Sequence, residues 1–195
     1  MNIALQCVET VVTAEMFRRL QSRLSDHKLT FWTSGEAAPS EDFDVILTGG
    51  KIGREQMVNQ PKLVLVQTVT AGYDSIDVNA ASELGIWVSY APSGATDNAV
   101  SVAEFAVLLM IGASRNLNAA LASLGDHSMK PSRVNLALSG KTVCIVGFGT
   151  IGRLLADRLR AFGMRLVATD KHPCDAASDV EIYPPEKLLE AVAEA

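Results

Sequence analysis

Cysteine is scarce in this sequence. There are 3 in 195 residues, and Cys7, Cys144 and Cys174 share no CxxC or Cys/His ligand spacing. Neither a disulfide framework nor a zinc site is indicated, and reduced thiols in a cytoplasmic protein fit best. Basic residues are also few: 17 Lys and Arg face 22 Asp and Glu, for a net charge of -5. That balance gives no electrostatic footprint for nucleic acid or an anionic membrane surface. Long apolar runs are absent too. The most apolar stretch, FAVLLMIGA at 105–113, falls well short of the ~20 residues that span a bilayer and reads as a buried helix. The first residues, MNIALQCVET, have no basic stretch and include Glu9, so they do not read as a signal peptide. No internal repeat or low-complexity tract is present.

With 48% apolar and 20% charged residues, the chain can bury a substantial core. NIALQC (2–7), KLTFW (28–32), FDVILTG (43–49), LVLVQTVT (63–70) and IWVSYA (86–91) are compact apolar runs, each followed by turn residues or helical patterning. Strands in that rhythm imply βαβ units, a parallel sheet and an α/β fold. Helices are expected near 12–24 and 76–84, with a long one from about Asn98 to Asn118. The mixed stretch 121–140, with Gly, Pro and Ser, reads as a linker. The last residues, KLLEAVAEA (187–195), have the pattern of an amphipathic helix with Leu188, Leu189 and Val192 on its apolar side.

The strongest chemical signal is KTVCIVGFGTIGRLLADRLRAFGMRLVATD, residues 141–170. A bare GxGxxG says little. Here Gly147, Gly149 and Gly152 lie between a strand (TVCIV) and a helix, and a second strand (RLVAT) ends in Asp170. In such a unit Gly147 permits the tight turn, Gly149 lets a pyrophosphate approach the backbone, and Gly152 lets helix pack on strand. The amides around Thr150 and Ile151 face the phosphates at the positive end of the helix. Asp170 can accept hydrogen bonds from both hydroxyls of the adenine ribose and would repel a 2′-phosphate, so the cofactor is read as NAD. Lys171 beside it acts in the opposite sense, as a cation that favours a phosphate. The other reading of the glycines, a tight strand-to-helix turn without a ligand, leaves Asp170 unexplained.

The stretch from VTAGYDSIDVNAASELGIWVSYAPSGATDNAVSVAEFAVLLMIGASRNL through LSGKTVCIVGFGTIG resembles the NAD-dependent D-2-hydroxyacid dehydrogenase family, which includes phosphoglycerate, glycerate and formate dehydrogenases. The motifs AGYDxID, SVAE and GFGTIG, in that order, carry the resemblance, which is strong over residues 63–195 and only a matter of pattern before that. It implies a flavodoxin-like substrate domain over 1–97, followed by the first half of an NAD-binding Rossmann domain over 98–195. It also implies a small 2-hydroxy or 2-oxo acid as substrate and a homodimer formed through the helix at 98–118.

By the same resemblance, the turn at Ala71 and Gly72 offers backbone amides to the substrate carboxylate. From its residues alone it would be an ordinary strand-to-helix turn. Asn98 resembles a substrate-contacting asparagine of formate dehydrogenases and is equally suited to cap a helix N-terminus. Glu104 reads as structural, and Phe105 stands where many members have His, Leu or Asp. The family's catalytic Arg, Glu and His follow the helix that KLLEAVAEA resembles, so no catalytic residue is assigned in this chain. His27, His127 and His172 read as solvated loop histidines, and Arg153, Arg158 and Arg160 as residues on the solvent or phosphate side of their helix. GGKIG (49–53) lacks the full phosphate-loop pattern. A non-catalytic NAD(H)-binding regulatory or interaction protein on the same fold is the alternative.

Overall fold

Apolar runs that are continuous rather than alternating suit strands covered on both faces, and they build the first sheet. The computed structural model describes residues 1–125, 135–172 and 179–195. It divides into two units, Met1–Ala95 and Thr96–Ala195. His127 and Cys174, and residues 126–134 of the expected linker, lie outside the described residues.

In the first unit, β1 (Asn2–Cys7), β2 (Lys28–Thr33), β3 (Val45–Thr48), β4 (Leu65–Thr68) and β5 (Trp87–Ser89) form a parallel sheet in the order β2-β1-β3-β4-β5. Five of the six β1 residues are buried, because the strand pairs with β2 from Asn2↔Lys28 onward and with β3 from Ile3↔Val45 onward. Helices α1 (Val11–Arg23), α2 (Arg54–Val58) and α3 (Val78–Glu83) connect the strands; the short α2 has no counterpart in the sequence reading. Phe43, Ile46, Ile52, Met57, Val66 and Ala80 form the centre of one apolar core. Gln6 is a polar side chain buried at the end of β1. Its amide donates to Ser34 Oγ at 3.1 Å and accepts from Thr48 Oγ1 at 2.5 Å, which satisfies its polar atoms.

The second unit contains α4 (Asn98–Ser114), α5 (Leu117–Gly125), β6 (Thr142–Val146), α6 (Thr150–Arg160), β7 (Arg165–Thr169), β8 (Val180–Tyr183) and α7 (Leu188–Ala193). Its parallel sheet runs β6-β7-β8. The expected single helix over 98–118 is instead two, bent by 68°. The break falls at Asn116, whose φ of 50° is left-handed, a conformation that asparagine tolerates better than most residues. Its carbonyl then accepts from the amides of Ala119 and Ala120 as α5 begins.

The buried-helix reading of 105–113 also needs correction. Val107 and Met110 pack on the core of the second unit, but Phe105, Leu108 and Leu109 remain more than half exposed. High apolar content therefore misled about burial. At the C-terminal helix, a 3-10 turn over Pro185–Lys187 precedes α7. Ala191 is the residue it buries, whereas Leu189 is 83% exposed and Val192 is exposed as well. The apolar side expected there is only partly used. Arg165 on β7 and Tyr183 on β8 both bond Glu194, which ties the end of this segment to the sheet.

Candidate nucleotide site in the second unit

Strand β6 ends at Val146 and the chain turns sharply into α6. Gly147 sits at φ 92°, a region that costs a residue with a Cβ strain and costs glycine little. Its amide donates to Thr169 O at 2.8 Å, holding the turn beside β7. Gly152, in the first turn of α6, is buried, and a Cβ built there would lie 2.2 Å from Gly147 O and 3.2 Å from Ile145 Cγ2. Close packing of helix on strand therefore requires glycine at this position. Gly149 differs from both. It caps α6 with φ -77°, and a Cβ there would meet nothing within 4 Å. Neither backbone strain nor internal packing demands glycine at 149, and its outer side is open.

Among the described residues, the backbone N–H groups of Gly149, Thr150 and Ile151 have no protein acceptor. They sit at the positive end of the α6 dipole, an arrangement suited to an anion. Thr150 and Ile151 are exposed.

Asp170 follows β7 and reaches back across the turn. Its Oδ2 accepts from the Phe148 amide at 2.6 Å and its Oδ1 from the His172 amide at 2.8 Å. These two bonds, that of His172 first, hold its carboxyl below the usual carboxylate range. Each carboxylate oxygen retains a further lone pair for a ligand hydroxyl. Phe148 itself is buried, and its ring packs into the core of the unit.

A cavity of about 400 Å³ opens beside this turn, lined by Val146, Gly147, Thr169, Asp170, Lys171, His172, Pro185 and Leu188. The structure thus gathers Gly147, Gly149, Thr150, Ile151, Gly152 and Asp170 around one turn and its cavity. Sequence reasoning missed the apolar wall of Val146, Pro185 and Leu188. The pair Pro184–Pro185 was the available signal, because proline favours the first position of a helix. His172, read as a solvated loop residue, is exposed but stands in the cavity wall. His27 is half-buried in the turn before β2.

The remaining candidates lie elsewhere. Ala71 and Gly72 belong to the first unit, in the turn after β4, where Thr70 Oγ1 donates to Gly72 O at 3.1 Å. Their amides have no protein acceptor among the described residues. A Cβ at Gly72 would find only Asp74 Oδ2 at 3.4 Å, so the fold itself does not require glycine there. Asn98 is exposed and is the first residue of α4; the N-cap is Asp97, which corrects the capping reading of Asn98. Glu104 pairs with Arg158 at 3.0 Å, linking α4 to α6.

A strand, a glycine turn, a helix N-terminus and a second strand ending in an acid, set in a parallel sheet, define a Rossmann-type dinucleotide-binding α/β unit. Comparison with known proteins makes the class specific. Residues 107–195 match the family model described as D-isomer specific 2-hydroxyacid dehydrogenase, NAD binding domain. D-3-phosphoglycerate dehydrogenase of Mycobacterium tuberculosis (strain ATCC 25618 / H37Rv) is 38% identical over 157 residues, which cover 78% of this chain and 29% of that protein. Glyoxylate reductase of Korarchaeum cryptofilum is 32% identical, with 92% of this chain and 58% of that protein covered. Among solved structures, NAD-dependent formate dehydrogenase from Staphylococcus aureus in complex with NAD superposes with a TM-score of 0.80 at 26% identity, covering 98% of this chain and 62% of that one.

The chain belongs to the NAD-dependent D-2-hydroxyacid dehydrogenase family, and its cofactor is NAD. It spans between 29% and 58% of the length of the two curated relatives above.

Proposed function

We propose that the second unit binds NAD(H) through the turn from Gly147 to Asp170. The whole protein would then transfer hydride reversibly between NAD(H) and a D-2-hydroxy acid or its 2-oxo partner. The observation that carries this reading is Gly149: its open outer side adjoins amides without acceptors at a helix N-terminus. These amides would bind the pyrophosphate, Asp170 would accept from the adenine ribose, and Val146, Pro185 and Leu188 would rest against the adenine. Bound NAD supplies or accepts the hydride. In the first unit, the amides of Ala71 and Gly72 would hold the substrate carboxylate. The exposed apolar side chains Phe105, Leu108 and Leu109 support a homodimer through α4, and the free Cys7 and Cys144 support a cytoplasmic location.

Titration of the chain with NADH and NADPH, followed by an assay with glyoxylate, hydroxypyruvate and pyruvate, tests the proposal. NADH is expected to bind more tightly than NADPH, because the Asp170 carboxylate repels a 2′-phosphate. Equal or tighter binding of NADPH would remove the role given to Asp170. Saturable NADH binding without turnover of any 2-oxo acid would favour the non-catalytic alternative for this chain.

A further inference from the structure

Two threonine hydroxyls hold the turn that follows β4. Thr68, the last residue of that strand, is 1% exposed, and its Oγ1 donates to Thr70 O at 2.7 Å. The same carbonyl accepts from the Ala91 amide, just past β5, at 3.1 Å. Thr70 O is thus tied toward the ends of β4 and β5. In a planar trans peptide the C=O and N–H point in opposite directions, so the Ala71 N–H is turned away from those strand ends. Thr70 Oγ1 in turn donates to Gly72 O at 3.1 Å, which by the same rule turns the Tyr73 N–H away from Thr70. The peptide between Ala71 and Gly72 is held between these two fixed planes. Further along, the Ile52 amide donates to Ser75 O at 3.1 Å, so the turn is anchored at both ends. Among the described residues the amides of Ala71, Gly72 and Tyr73 all lack a protein acceptor. Successive N–H groups left free in a turn are the makings of an anion-binding concavity.

We infer that Thr68 and Thr70 are positioning residues for the substrate carboxylate: Thr68 aims the Ala71 amide, and Thr70 aims the Tyr73 amide, which joins those of Ala71 and Gly72 as a third donor. The inference rests on the carboxylate reading of the Ala71–Gly72 turn and extends it to two hydroxyls already committed to backbone carbonyls. Neither hydroxyl is the sole means of satisfying its acceptor. Thr70 O keeps the Ala91 amide when Thr68 loses its hydroxyl, and Gly72 is exposed, so water can replace Thr70. Removing either one therefore leaves no buried acceptor unpaired, and the loss falls on the aim of the amides rather than on the core.

The test is heteronuclear NMR of the full chain, as wild type, Thr68→Val, Thr70→Val, Thr68→Ser and Thr70→Ser, titrated with glyoxylate. In the wild type the amide signals of Ala71, Gly72 and Tyr73 should shift saturably. Each valine variant keeps the shape and removes the hydroxyl, and should bind glyoxylate about three- to tenfold more weakly, the worth of one hydrogen bond. Its backbone order parameter should fall from about 0.85 toward about 0.6, at Ala71 for Thr68→Val and at Tyr73 for Thr70→Val. The serine variants, which retain a hydroxyl, should keep both affinity and order. Unchanged affinity and order in the valine variants would overturn the inference, and so would losses that serine shares, since those would mark a packing role. A Tyr73 signal that stays in place while Ala71 and Gly72 shift would overturn the part given to Thr70. No shift at Ala71 or Gly72 would sink the carboxylate reading itself, while the order parameters still decide whether the two hydroxyls hold the turn.

Discussion

Gly152→Ala adds one methyl group at the tightest point of the second unit. The new Cβ would lie 2.2 Å from the carbonyl oxygen of Gly147, well inside van der Waals contact. That obstacle is backbone, in a turn already fixed by the Gly147 amide on Thr169 O. The helix itself favours alanine over glycine by up to about 1 kcal/mol. Overpacking costs about 1–3 kcal/mol, and an overlap with immobile backbone belongs at the upper end. The clash therefore wins by about 1–2 kcal/mol. For a unit of this size each kcal/mol lowers the midpoint by roughly 4–8 °C. Thermal and urea unfolding of the second unit would show this, and NADH affinity should fall as the turn is displaced. Gly149→Ala is the companion: nothing lies within 4 Å of its Cβ, so its stability should change by no more than about 1 kcal/mol while NADH binding is lost. A Gly152→Ala protein as stable as wild type, or more so, would refute the packing argument and leave helix propensity as the only effect.

Acid should release the grip of Asp170. Its folded pKa is lowered by the amides of His172 and Phe148, so its contribution is complete above the unfolded value of about 3.9 and disappears as pH falls through the folded one. Wild-type urea midpoints should therefore hold steady from neutral pH to about 5 and lose this contribution below about 4; Asp170→Asn should lack that acid-dependent loss, and identical pH profiles would refute the assignment. Phe43→Ala, at a fully buried position, should destabilise the first unit by about 3–5 kcal/mol in urea; a loss under 1 kcal/mol would mean that the site collapses far more readily than such cores do. Leu109→Asp, on the exposed side of α4, should convert a homodimer to a monomer in light scattering without lowering the melting temperature. A wild type that is already monomeric would remove the homodimer proposal.

The sequence by itself determined the α/β class, the parallel strands and the positions of most helices. A run such as NIALQC is mostly apolar without alternation, a pattern that suits a strand covered on both faces, and five of its six residues are buried. The placement of Gly147, Gly149, Gly152 and Asp170 on one strand–turn–helix–strand unit was equally legible, because local spacing sets it. Only the tertiary structure decided what depends on neighbours distant in the chain. It broke the helix at Asn116 and left Phe105, Leu108 and Leu109 exposed, while α4 buries Ala99 and Ala103 and packs Val107 and Met110 against the core. It brought Pro185 and Leu188 beside Asp170. It also separated three glycines that look alike in sequence: 147 serves a left-handed turn, 152 meets a carbonyl at its back, and 149 faces open space. Side-chain type and spacing are properties of the chain, whereas the space beside a residue belongs to the fold.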